Sequence, residues 1–68
     1  MIHVRAKNFR DAQERLDAAE GQLRQQAMRS RAHGILVTKI GAGHYVLTLS
    51  ERVPYGYTHE ESANFHRQ

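Results

Sequence analysis

The stretch from residue 33 to residue 57, HGILVTKIGAGHYVLTLSERVPYGY, decides the fold of this 68-residue chain. Ile35 to Ile40 and Tyr45 to Ser50 are rich in β-branched and other apolar residues, and a short loop containing glycine separates them. Two such runs joined in this way are the usual signature of a β-hairpin. The sequence therefore predicts a hairpin over residues 35–50.

The loop sets the register of the hairpin. If Gly41, Ala42 and Gly43 form a three-residue loop with Gly43 in the left-handed conformation, the runs pair in a single way. That register places Ile35 opposite Leu49, Val37 opposite Leu47 and Lys39 opposite Tyr45. One face of the hairpin is then apolar. The other face is too apolar for a hydrated surface and too polar for a core; it carries Leu36, Thr38, Ile40, His44, Val46 and Thr48.

A strand and a helix precede the hairpin. Apolar and polar residues alternate over residues 1–6, which predicts a short strand. Asn8 offers an N-cap oxygen, so a helix should begin at Phe9, and Gly34 is placed to end it as a C′ residue. The helix then covers residues 9–33, about 25 residues or about 38 Å. Because this crossover is long, the first strand is expected to lie parallel beside the hairpin.

The apolar stripe on this helix is narrow. Phe9, Leu16 and Leu23 recur every seven residues, and Ala12 and Ala19 lie between them. This spacing is typical of a coiled-coil seam, and the helix is longer than the roughly 23 Å that seven-residue strands can cover. We therefore expect a homodimer. The alternative is a helix that packs on its own sheet.

Gly21 interrupts this helix. It costs the helix about 1 kcal/mol relative to alanine and lies away from the stripe, so it would mark a bend or a close approach of another backbone.

Residues 51–58 read as a loop, because Pro54 lacks a backbone donor and Gly56 weakens a strand. Thr58 to Glu61, THEE, matches a capping box, which predicts a short helix or a tail over residues 59–66. The fold class is thus a single α+β domain of order β-α-β-β, with one long helix against a short sheet containing the hairpin and a short C-terminal helix.

Composition excludes several classes of protein. Sixty-eight residues form one domain with a thin core, and the chain contains no cysteine for disulfides or thiolate metal sites. No apolar run approaches the roughly 20 residues that a membrane helix needs, and a signal-peptide core is lacking, so we expect a cytoplasmic protein without a membrane partner. The five histidines lack metal-ligand spacing, so no metal and no cofactor are expected.

His44 is the sharpest lead toward catalysis. The segment GAGHYVLTL resembles the Gly-Ser-His-His-x-Tyr stretch of HicA-type toxins, which are small basic ribonucleases. The resemblance implies that His44 would act on RNA as a general acid or base, with Lys39 or an arginine stabilising the developing charge. The chain departs from that family in its longer helix and in a glycine that replaces the first histidine. A ribonuclease is therefore an alternative, and the main expectation is a protein that is not an enzyme.

A longer segment, AHGILVTKIGAGHYVLTLSERVPYGYTHEES, resembles small uncharacterised proteins of actinobacteria and their phages. The likeness rests on the HGILVT strand, the Tyr-Val return of the hairpin and the VPYG-x-T loop. Many such phage proteins act by binding a component of the host, so this resemblance implies a phage-encoded protein that modulates a host protein.

Two kinds of partner follow from the surface residues. The preferred one is an unidentified protein or a second copy of the chain, bound through an interface made of Phe9, Ala12, Leu16, Ala19, Leu23, Leu36, Ile40, Val46, Tyr55 and Tyr57. The alternative is a nucleic acid, DNA or RNA. The net charge of +3 favours it, and its phosphates would meet Arg24, Arg29, Arg31 and Lys39.

Overall fold

One helix packs across one face of a four-stranded mixed sheet. The computed structural model describes residues 1–62, and its elements are β1 (Ile2–Arg5), α1 (Phe9–Ser30), β2 (Gly34–Gly41), β3 (His44–Ser50) and β4 (Thr58–Ser62). The strand order is β1-β3-β2-β4. The α+β class predicted from the sequence is confirmed.

The hairpin of β2 and β3 has the predicted register. Ile35 pairs with Leu49, Val37 with Leu47 and Lys39 with Tyr45. Gly43 has a φ of 67°, which is the left-handed conformation required of it. The loop is shorter than the predicted three residues, because Gly41 pairs with His44 and only Ala42 and Gly43 lie between the strands. The register shifts between Lys39 and Gly41, so a bulge precedes the turn.

The first strand lies beside the hairpin, as predicted, but it is not parallel to its neighbour. β1 pairs with β3 and runs antiparallel to it. It does run in the same direction as β2, as a helical crossover allows, but β3 lies between them. The prediction of a parallel neighbour beside the hairpin is therefore wrong, because the hairpin's return strand takes that place.

The helix begins at the predicted residue. The Asn8 side chain accepts a hydrogen bond from the backbone N–H of Asp11 at 2.8 Å. The Asp11 carboxylate in turn accepts bonds from the N–H of Lys7 and from Nε of Arg15, each at 3.0 Å. The Lys7 N–H and then the Arg15 side chain lower the pKa of Asp11 below its ordinary value. The start of α1 is thus stabilised by one amide and one ionised carboxylate.

We expect Asp11→Asn to destabilise the protein at pH 7 and to leave it unaffected in strong acid. A carboxyl whose pKa is lowered on folding contributes stability above its unfolded-state pKa, ordinarily about 3.8, and loses it as the pH falls through the folded-state value. Urea unfolding followed by circular dichroism at pH 7 and pH 2 measures this. Glu14→Gln, which removes an exposed carboxylate from the same helix, is the matched control and should show no such pH-dependent difference. Equal losses at both pH values would contradict the electrostatic role of Asp11.

The helix ends earlier than predicted. Its last residue is Ser30, and Arg31 adopts the left-handed conformation with a φ of 55° while its N–H donates to the Ala27 carbonyl. Gly34 is not the C′ residue. It is the buried first residue of β2, and its N–H donates to the Val53 carbonyl at 2.6 Å. The glycine is needed because the 51–57 loop passes directly over it.

The C-terminal helix predicted for residues 59–66 is wrong where the structure describes the chain. Thr58–Ser62 is a strand, β4, which pairs parallel to β2. The physical reason is that the open edge of β2 offers backbone partners, and THEE satisfies its own N–H groups there instead of in a capping box. The remainder of that prediction, residues 63–66, lies outside the described residues.

The core lies between α1 and the sheet. Its buried side chains are Val4, Ala19, Leu23, Ile35, Val37 and Leu47, and Ile2, Leu16, Tyr45 and Leu49 pack against them. Ala12 and Ala27 are buried on the same side of the helix. Gly21 meets no atom within 4 Å of an added Cβ, so no other backbone approaches it, contrary to one of the two predicted reasons for it. Within residues 1–62, no helix combines the length and apolarity needed to cross a membrane.

Candidate interaction surface

Exposed apolar side chains gather at the C-terminal end of the helix. Met28 is 55% exposed, Tyr55 40% and Tyr57 67%. All three line one cleft of about 200 Å³, although the methionine belongs to α1 and the tyrosines to the loop between β3 and β4. We call it the tyrosine cleft; its other lining residues are Arg24, Ala27, His33, Gly34, Ile35, Gly56 and Thr58.

A tight turn holds the two tyrosines on either side of Gly56. The Tyr57 N–H donates to the Pro54 carbonyl at 3.0 Å, and Gly56 has a φ of 92°. A positive φ at the third residue of such a four-residue turn is the requirement that glycine meets in a type II turn. Val53, which is buried, fixes the start of the turn to the sheet. The loop that carries the tyrosines is therefore already ordered. Binding a partner there costs little conformational entropy of the loop.

The helix supplies the other wall of the tyrosine cleft. Arg24 and Met28 are four residues apart, so they lie on one face of α1. Ala27, beside Met28 on the side of the helix that faces the core, is buried. Arg24 forms an ion pair with Glu20, with 3.7 Å between Nη2 and Oε1. Burial raises the pKa of Glu20, while the charge of Arg24 opposes that rise. None of the described residues that line the cleft is acidic, although Glu20 reaches its edge through the ion pair with Arg24.

The predicted interface residues fall into three groups. Four of them are buried in the chain's own core or under its own loop, and so they are not available to a second molecule in this structure: Ala12, Ala19, Leu23 and Leu36. Leu16 is half-buried against that core, and Ile40 and Val46 are half-buried on the face of the sheet away from α1. The exposed members are Phe9, Tyr55 and Tyr57.

The tyrosine cleft thus unites two predicted interface residues with one predicted phosphate contact, Arg24. Sequence reasoning missed Met28 and His33. For Met28 a signal existed, since it is a large apolar residue beside the stripe in a last helical turn whose other members are small or polar. His33 follows the arginine cluster of the predicted helix, but no spacing in the sequence relates it to the two tyrosines.

The predicted phosphate contacts do not form one surface. Arg24, Arg29 and Arg31 lie at the C-terminal end of α1. Lys39 instead lines a cleft of about 360 Å³ beside Phe9, near the start of the helix, where Glu60 and Glu61 also line the wall. The rise of an α-helix puts the two ends of α1 about 30 Å apart.

Of the two predicted neighbours of His44, Lys39 or an arginine, the structure places only an arginine, Arg5, beside it. It is half-buried on the face of the sheet away from α1, whereas Lys39 pairs with Tyr45 and therefore points to the helix side. Lys39 is thus not placed to stabilise charge beside His44. The neighbours of His44 are Arg5, directly opposite it on β1, and the ring of His3, whose centroid is 5.9 Å away.

Comparison with known proteins assigns this chain to no family. Within the described part of the chain, no three histidine or carboxylate side chains are grouped as a metal site. The chain matches no protein-family model, no curated protein and no solved structure.

Proposed function

We propose that this protein is a non-catalytic protein-interaction module that binds its partner through the tyrosine cleft. The observation that carries the proposal is the gathering of Met28, Tyr55 and Tyr57 around one concave site. Tyrosine, methionine and arginine are the side chains enriched at the centres of protein interfaces.

The size of the cleft favours a side chain over a small molecule. Pockets for small-molecule ligands have volumes of about 300–1,000 Å³, and the tyrosine cleft has about 200 Å³. One anchor side chain from a partner would fill it. Burying the exposed part of Tyr57 would contribute about 2 kcal/mol, which is the energy of an interface hot spot.

The charge of the rim favours an acidic partner surface. Arg24 and His33 line the cleft, its lining within residues 1–62 includes no acidic residue, and the whole chain carries a net charge of +3. Complementary charges raise the association rate and suppress wrong partners. We therefore expect carboxylates around the partner's anchor residue.

The remaining parts of this proposal rest on the sequence. The resemblance to small actinobacterial and phage proteins supports a phage-encoded protein, located in the cytoplasm, with a host protein as its partner. A homodimer remains proposed, and it would use the exposed predicted residues Tyr55 and Tyr57, which lie together in the tyrosine cleft.

Site-specific photo-crosslinking in the source organism tests the proposal. A benzophenone side chain introduced at Tyr57 should give one discrete protein adduct, and Met28→Ala should reduce its yield strongly. The same group at Phe9, which is at least as exposed but lies at the other end of the helix, is the matched control and should give no such adduct.

The adduct also allows a quantitative check. Once the crosslinked protein is identified and purified, Tyr57→Ala should weaken its binding about 30-fold, the change that corresponds to about 2 kcal/mol. An adduct that nuclease removes would favour the nucleic-acid alternative. Equal adducts from positions 9 and 57 would contradict the assignment of the site.

A further inference from the structure

Two histidines and an arginine form a separate cluster on the face of the sheet away from α1. Arg5 lies directly opposite His44 in the β1–β3 ladder, and His3 precedes Arg5 by two residues on the same face. The ring centroids of His3 and His44 are 5.9 Å apart, with the rings tilted by 37°. We call these three residues the histidine patch. None of them lines the tyrosine cleft.

Among the described residues, the histidine patch has no acidic partner. The ion pairs found among residues 1–62 involve none of its members. The residues that follow His3 across this face of the sheet are Val46 and Thr38, which are uncharged, and only then Glu61 on β4. Three strand spacings separate the backbones of Glu61 and His3, about 14 Å. Glu61 is moreover already paired with Arg52 and His59.

This arrangement is unfavourable when the imidazoles are charged. Like charges directly opposite each other on antiparallel strands destabilise a sheet, and Arg5 lies opposite His44. Imidazole is the side chain that normally gains its charge between pH 8 and pH 5. With both imidazoles protonated, the patch would carry three positive charges, and no carboxylate within residues 1–62 forms an ion pair with it. A bound anion would remove the repulsion.

The donors of the patch match a phosphate group. Guanidinium presents a planar fork of N–H donors that fits phosphate oxygens, and each protonated imidazole adds further N–H donors. A divalent cation fits less well, because only two imidazoles are present and Arg5 would repel it. The exposure of His3 and Arg5 leaves the patch open to solvent.

We infer that the histidine patch binds a phosphate group, more tightly at pH 6 than at pH 8. The group is either free phosphate or a phosphodiester of a single-stranded nucleic acid lying across the sheet. The charged and titratable groups that face it are His3, Arg5 and His44; the nearby β2 side chains on this face, Thr38 and Ile40, are uncharged. This site is independent of the tyrosine cleft.

NMR titration of the full chain tests the inference with two probes, inorganic phosphate and an eight-nucleotide oligouridylate. At pH 6 we expect the amide signals of β1 and of the start of β3 to shift with at least one probe. For the oligouridylate, whose phosphodiester groups keep one negative charge each throughout this range, the dissociation constant should be about tenfold lower at pH 6 than at pH 8. Shifts with the oligouridylate alone identify a phosphodiester as the ligand, and shifts with phosphate alone identify free phosphate.

Variants assign the site. His44→Gln and Arg5→Gln should each weaken binding at pH 6 by roughly tenfold, the loss expected for one charge-assisted contact. His59→Gln is the matched control, because His59 lies on the same face but beside Glu61, and it should leave binding unchanged. Arg5 is exposed, so its variant should keep the wild-type fold, which the spectrum itself verifies. The inference is overturned if both probes fail to bind at pH 6. It is also overturned if binding occurs but neither variant weakens it.

Discussion

Gly34→Ala should destabilise the protein by about 3 kcal/mol or more and leave little or no folded domain. A Cβ at Gly34 would overlap the Pro54 carbonyl oxygen and lie 2.7 Å from the Tyr57 carbonyl oxygen. Overpacking of this kind costs about 1–3 kcal/mol, and displacing the loop would also break the bonds from Gly34 N–H to Val53 and from Ile35 N–H to Tyr57. A domain of this size has a total stability of about 3–10 kcal/mol.

Thermal unfolding followed by circular dichroism measures the effect. A loss of about 3 kcal/mol lowers Tm by about 12–24 °C in a domain this small. Gly21→Ala is the matched control, because an added Cβ there meets nothing within 4 Å. It should raise the stability by about 0.8–1.0 kcal/mol, through helix propensity alone. A Gly34→Ala protein with the wild-type Tm would show that the loop does not pack on this glycine.

The sequence predicted the parts of the fold that depend on neighbours along the chain. The register of the hairpin follows from its own loop, because Gly43 must adopt a positive φ there, and the helix start follows from Asn8. Both features involve residues within about fifteen positions of one another, so pattern and turn chemistry contain the necessary information.

The errors concern contacts between distant parts of the chain. Gly34 reads as a helix cap locally, yet its role is set by Val53 to Tyr57, some twenty residues later. THEE reads as a capping box, yet the open edge of β2 makes it a strand. In each case a contact between residues far apart in the sequence overrode the local signal. A short segment of sequence does not contain both partners of that contact.

The candidate site was predicted only in part for the same reason. Tyr55 and Tyr57 stand out in the sequence as aromatic residues of a loop with a proline and a glycine. Their proximity to Met28 and Arg24 arises because the loop folds back across Gly34 toward the end of α1. No spacing in the sequence indicates that contact.

Leu23→Ala is expected to cost about 2–5 kcal/mol, the range for removing a leucine side chain from a packed core. Leu23 is 2% exposed and packs with Val37 and Leu47, so its helix face is covered by the chain's own sheet. In a coiled-coil seam the same residue would be covered by a second copy. The two arrangements differ in how stability depends on protein concentration, because only an obligate dimer is stabilised by mass action.

Urea unfolding of the wild type and of Leu23→Ala over a hundredfold range of protein concentration separates these arrangements. For a helix packed on its own sheet, both midpoints should be independent of concentration. Phe9→Ala is the control from the same seven-residue repeat. Phe9 is 79% exposed, so its loss should change the stability by no more than about 0.5 kcal/mol. A wild-type midpoint that rises with concentration, together with a large loss in Phe9→Ala, would instead place a second copy along the helix. The exposed end of the repeat is therefore the position at which a dimer through α1 has to be tested, since the middle of the repeat is already used by the core.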